Sequence, residues 1–89
     1  MATLLVQLKV KSYEEWRKVF DSKAGLRKAN GELSYQIYRD TSDPTRLVAI
    51  YKYDSMERAQ KWFQSAELKA AQAQAGVQGP PGITFLQEA

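Results

Sequence analysis

The chain has 89 residues and contains neither cysteine nor histidine, which removes disulfides, thiolate metal sites, the commonest transition-metal ligand and the side chain that titrates near neutrality. Thirteen Lys and Arg against ten Asp and Glu leave a net charge of +3. The two signs are interspersed, as in Glu14, Glu15, Arg17 and Lys18, so the balance describes a solvated surface and not a stripe that binds nucleic acid.

Met1 to Val10 holds the apolar group Leu4, Leu5 and Val6 but is interrupted by Gln7 and Lys9. It is too short and too polar for a signal peptide or a membrane span, and the expected location is cytoplasmic. From Thr3 to Val10 apolar residues alternate as in a strand. Ser12 then stands three residues before Glu15, a capping-box pattern, and Tyr13, Trp16 and Phe20 follow on one helical stripe. Gly25 predicts a kink or brief interruption, after which Leu26 to Ala29 continue the helix to Asn30-Gly31.

Leu33 to Arg39 and Leu47 to Tyr53 read as two strands joined by a turn around Asp43-Pro44. Asp54 with Glu57 predicts a second capped helix, whose apolar face carries Met56, Ala59, Trp62 and Phe63. Ser65 restarts it as a second piece, Ala66 to Ala75, that stops at Gly76; Gly79-Pro80-Pro81-Gly82 excludes further helix. Ile83 to Leu86 make the last strand.

The whole, residues 1–89, is expected to be one α+β domain of the ferredoxin-like βαββαβ kind. Its four-stranded antiparallel sheet would carry two helices on one face. The third strand is apolar on both sides, with Leu47, Ala49, Tyr51 and Tyr53 on one and Val48 and Ile50 on the other. A sheet apolar on both faces needs a second cover, and a second copy of the chain is the simplest.

Two local matches carry little. Val77-Gln78-Gly79 resembles the phosphate loop of acylphosphatases but precedes the last strand instead of following the first, and it runs into two prolines. Arg46 to Tyr53 has the basic start and aromatic end of an RNA-recognition strand, yet Leu47, Val48 and Ile50 replace its glycine and stacking aromatics. No nucleic-acid role is expected.

The aromatic set is more informative. It comprises Tyr13, Trp16, Phe20, Tyr35, Tyr38, Tyr51, Tyr53, Trp62, Phe63 and Phe85. Each alone reads as core filling, but two tryptophans with several tyrosines exceed what so small a core requires, and Trp16, Phe20, Tyr35, Tyr51, Trp62 and Phe63 suit a pocket for a flat apolar ligand. Trp16 and Trp62 would form walls, with Tyr35 and Tyr51 hydrogen-bonding a ring oxygen and Arg39 or Lys52 steadying an anion. The remaining polar candidates are Gln7, Asn30, Ser34 and Gln36. Glu14 and Glu15 are adjacent and diverge on the helix, so they form no acid/base pair.

Over nearly its full length the chain resembles the dimeric α/β-barrel superfamily, and within it the small proteins of the antibiotic biosynthesis monooxygenase type. The resemblance rests on Tyr13-Glu14-Glu15-Trp16, on Ala29-Asn30-Gly31, and on Ser65-Ala66-Glu67-Leu68 through Ala75-Gly76-Val77 to Gly79-Pro80-Pro81. It implies a homodimer joined through its sheet faces into a dimeric barrel, with a ligand cleft between helices and sheet in each subunit. It also implies a cofactor-independent monooxygenase that oxidises a small electron-rich aromatic or quinol-type compound without metal or flavin. A non-catalytic small-molecule binder is the alternative. This sequence lacks the histidine of related pockets, and its asparagine, Asn30, closes a helix instead of sitting in the first strand.

Overall fold

The computed structural model describes all 89 residues. In chain order the elements are β1 (Ala2–Lys9), α1 (Tyr13–Ser22), α2 (Ala24–Ala29), β2 (Glu32–Arg39), β3 (Arg46–Tyr53), α3 (Met56–Phe63), α4 (Ala66–Gln74) and β4 (Gly82–Leu86). The strands form one antiparallel sheet in the order β2-β3-β1-β4.

Two parts of the expected fold are corrected. There are four helical segments and not two, and the sheet is open instead of paired into a barrel. Its edges are β2 and β4, each bonded to one neighbour, and closure takes about eight strands. The first helical region breaks at Lys23, whose backbone leaves the helical range at φ −99° and ψ 11°. Gly25, where the break was expected, lies inside α2.

The second break follows from one side chain. Ser65 Oγ donates to the Trp62 carbonyl at 2.6 Å and accepts from the Leu68 amide at 3.1 Å, so the same hydroxyl closes α3 and opens α4. At the start of α3 the cap is Ser55, accepting from the Arg58 amide at 3.2 Å, and not the expected Asp54. Asp54 instead pairs with Arg58, and Arg58 donates to the Ala29 carbonyl at the end of α2.

Gly31 fits under that network because it has no side chain. Its φ is +106°, and an added Cβ would stand 2.7 Å from Asp54 Oδ1. Gly31→Ala combines strain with a clash, so we expect it to lower stability by about 1–3 kcal/mol, read as a fall in melting temperature. A wild-type melting curve would refute this account of the α2–β2 junction.

The helices cover one face of the sheet. Leu4 and Val6 from β1 and Leu47, Ala49, Tyr51 and Tyr53 from β3 are buried there, against Trp16, Phe20, Ala59 and Trp62. On the uncovered face Leu5, Val48 and Ile50 are half-buried, flanked by exposed Gln7, Gln36, Tyr38, Lys52 and Leu86.

One irregularity matters for the site. Glu32 pairs with Tyr53 and Ser34 with Lys52, so Leu33 is an extra residue in the ladder. Simple alternation from Tyr35 would turn Leu33 inward and Glu32 outward. The bulge reverses this: Leu33 is 55% exposed and Glu32 only 7%.

Candidate functional site

A cavity of about 70 Å³ lies between the helices and the sheet, and most of its lining is hydrophobic. Trp16 and Phe20 reach it from α1, Trp62 and Phe63 from α3, and Tyr51 and Tyr53 from β3. All of these rings except that of Trp62 form one connected set. Trp16 stacks on Phe20 at 4.8 Å and 19°, Phe20 approaches Tyr51 at 6.4 Å, and Phe63 lies 6.0 Å from Tyr51 and 5.9 Å from Tyr53. Offset and edge contacts of this kind hold rings in fixed orientations. On its fourth side the cavity is closed by Leu68, Ala71 and Gln72 of α4, a helix with no fully buried residue.

One edge of this apolar space is charged. Arg27, from α2, donates from Nε to Glu32 Oε2 at 2.9 Å, and both side chains are almost fully buried. Its Nη1 donates to the Phe20 carbonyl, and its guanidinium lies 3.5 Å from the centre of the Phe20 ring. Arg27 borders the cavity on one side and an outer cleft, which also touches Glu32 and Tyr35, on the other. Glu32 Oε1 and the Tyr53 hydroxyl are buried without hydrogen-bond partners.

Of the residues singled out from the sequence, Trp16, Phe20, Tyr51, Trp62 and Phe63 border the cavity. Tyr35 and Arg39 do not. The Tyr35 ring meets the edge of Phe20 at 4.9 Å while its hydroxyl accepts from Arg17 at 3.3 Å. Arg39 places its guanidinium 4.6 Å from the centre of the Tyr13 ring. Gln7, Ser34, Gln36 and Lys52 are exposed, and Asn30 donates to the Leu26 carbonyl at 2.8 Å. The polar side chains of the lining are instead Lys23, Arg27, Gln72, Tyr51 and Tyr53, of which only Tyr51 was given a polar role from the sequence.

Burial pushes the Tyr51 and Tyr53 phenols well above the usual tyrosine range, and the nearby Glu32 carboxylate adds to the shift. Both therefore stay protonated as potential donors. Because their folded values exceed the unfolded value of 10.0, they stabilise the fold fully below that pH, and this contribution is lost as the pH climbs above it. In an alkaline titration these two phenols are expected to ionise only as the chain unfolds. Complete phenolate absorbance while circular dichroism still shows the native fold would contradict this.

The fold and cavity together define a small α+β protein with an aromatic pocket between helices and sheet. The chain belongs to the antibiotic biosynthesis monooxygenase family, which matches residues 1–74. Among solved structures it is similar to a candidate antibiotic biosynthesis monooxygenase from Caulobacter crescentus, with 29% identity and a TM-score of 0.76 over 99% of this chain and 89% of the other. It is also similar to the ActVA-Orf6 monooxygenase of Streptomyces coelicolor, solved in complex with nanaomycin D, at 23% identity and a TM-score of 0.68 over 99% of this chain and 87% of that one. The Rv0793 protein of Mycobacterium tuberculosis matches at 18% identity and a TM-score of 0.71, over 99% and 94% of the two chains. No curated protein matches the sequence.

Proposed function

We propose that the protein is a monooxygenase that binds a small electron-rich aromatic or quinol-type compound in the cavity and oxidises it with molecular oxygen, without metal or flavin. The observation that supports this most is the cavity itself, walled by touching aromatic rings in a chain of this family. A phenolate or enolate can surrender an electron to oxygen, so the substrate supplies what a flavin otherwise would. The protein's part is to hold the compound in a dry apolar space, favour its deprotonated form and orient it. Trp16, Phe20, Trp62 and Phe63 would position the ring and Tyr51 would donate to a ring oxygen. Tyr35 and Arg39, outside the cavity, would act on the approach to it.

We also propose a homodimer joined through the uncovered sheet face. Its half-buried centre of Leu5, Val48 and Ile50, with Tyr38 and Leu86 beside it, is an apolar patch that a second copy would remove from water.

Native mass spectrometry of the purified protein reads subunit number and retained ligand together. Oxygen uptake with a panel of dihydroxyaromatic compounds and metal-free protein then tests catalysis. Uptake above the uncatalysed rate is the expected result. Calorimetric binding without uptake would reject the enzyme and leave a small-molecule binder; neither uptake nor binding would reject both, and a stable monomer at micromolar concentration would reject the dimer.

A further inference from the structure

The charges at the edge of the cavity are one-sided. Lys23 and Arg27 are the charged side chains in its lining, both are cations, and no carboxylate borders it. Arg27 is neutralised by Glu32, which faces the outer cleft. Lys23 joins none of the molecule's ion pairs. The cavity edge therefore carries one uncompensated positive charge. The polar side chains of the lining are mainly donors: the ammonium, the guanidinium N–H groups not spent on Glu32 and Phe20, and Tyr53, whose hydroxyl is buried without a partner.

A set of donors with a surplus cation calls for a ligand that brings acceptor oxygens and a negative charge. Size narrows it further. At about 70 Å³ the space is smaller than an engineered cavity of roughly 150 Å³ that admits benzene, so a single ring already requires some yielding of the walls. The α4 wall, with no buried residue, is the side able to give. Three fused rings would need the wall removed.

We propose that the cavity selects a single-ring aromatic acid, bound as its anion, with the ring against Phe20 and Trp62 and the anionic oxygens toward Lys23, Arg27 and the Tyr53 hydroxyl. This rests on the reading of the cavity as an aromatic-ligand site. It adds the residues that set specificity, Lys23 and Arg27, neither of which belongs to the aromatic wall.

The test compares salicylate with salicylamide, its neutral isostere, and with catechol, by calorimetry or tryptophan fluorescence. Salicylate is expected to bind roughly tenfold or more tightly than salicylamide, the scale of a charge-assisted contact. Lys23→Gln should remove most of that difference by weakening salicylate alone. Lys23 is only partly buried and makes no side-chain cap bond, so this variant keeps the fold testable even where Arg27→Gln does not fold. Salicylamide or catechol binding as tightly as salicylate would overturn the acid assignment and leave the aromatic site standing. Binding of none of the three would overturn both. A dihydroxyanthraquinone binding more tightly than salicylate would overturn the single-ring assignment.

Discussion

Replacing Arg27 with methionine is expected to lower the free energy of unfolding by about 3–5 kcal/mol, the cost of leaving a buried carboxylate without its partner. Glu32 has one oxygen without a hydrogen bond even in the intact protein, so the pair with Arg27 carries its compensation. The substitution also removes the cation from the face of Phe20 and the donor to the Phe20 carbonyl. Against a total of roughly 5–13 kcal/mol for a chain of this size, such a loss brings the protein close to unfolding. The double variant R27M/E32L should recover most of it, because an apolar pair of similar volume has no charge to desolvate. Urea denaturation checks both, with the midpoint compared at constant slope. If R27M alone falls within about 1 kcal/mol of the wild type, the ion pair is not what holds α2 against the sheet.

The second large effect is expected at Trp62, which is 3% exposed and walls the cavity. Trp62→Ala deletes a buried aromatic from a packed core and should cost about 3–5 kcal/mol. The same change joins the volume of the indole to the existing cavity. Stability and binding should therefore move in opposite senses: the variant melts earlier but gains affinity for a three-ring dihydroxyaromatic compound that the wild type binds poorly. A destabilised protein with no gain for the larger ligand would show that the space had collapsed, or that Trp62 does not limit ligand size. Trp62→Phe, which keeps most of the ring area, should lose less stability and gain less affinity.

The strands and the inward faces of the helices were legible because their periodicities are regular. Trp16 and Phe20, and Trp62 with Phe63, fall on stripes that can only face the sheet, and the alternation of β3 places Tyr51 and Tyr53 together. Helix ends were less legible, because capping depends on which of two adjacent polar residues turns inward: Ser55 and not Asp54 caps α3. The charged edge of the cavity was not legible. Arg27 lies in a short helix among Leu26, Lys28 and Ala29, where nothing marks one cation as buried, and Lys23 stands at a break expected two residues later. Glu32 was concealed more deeply, since strand alternation assigns it to solvent and only the bulge at Leu33 turns it in. No signal remained in the sequence, because simple alternation places both Leu33 and Glu32 according to type and the bulge places both against it.

That bulge leaves the start of β2 one residue longer than its ladder uses. A chain that lacked Leu33 could still set Glu32 opposite Tyr53 and Ser34 opposite Lys52, the pairings seen here. Length at this point is therefore slack, and the acid and its arginine can persist in chains of two different lengths. Counting residues back from Tyr35 without a gap would match the acid of the shorter chain to Leu33 of this one, and would score a shared ion pair as a loss. Family members are better compared here by the residue facing Tyr53 than by position in the strand.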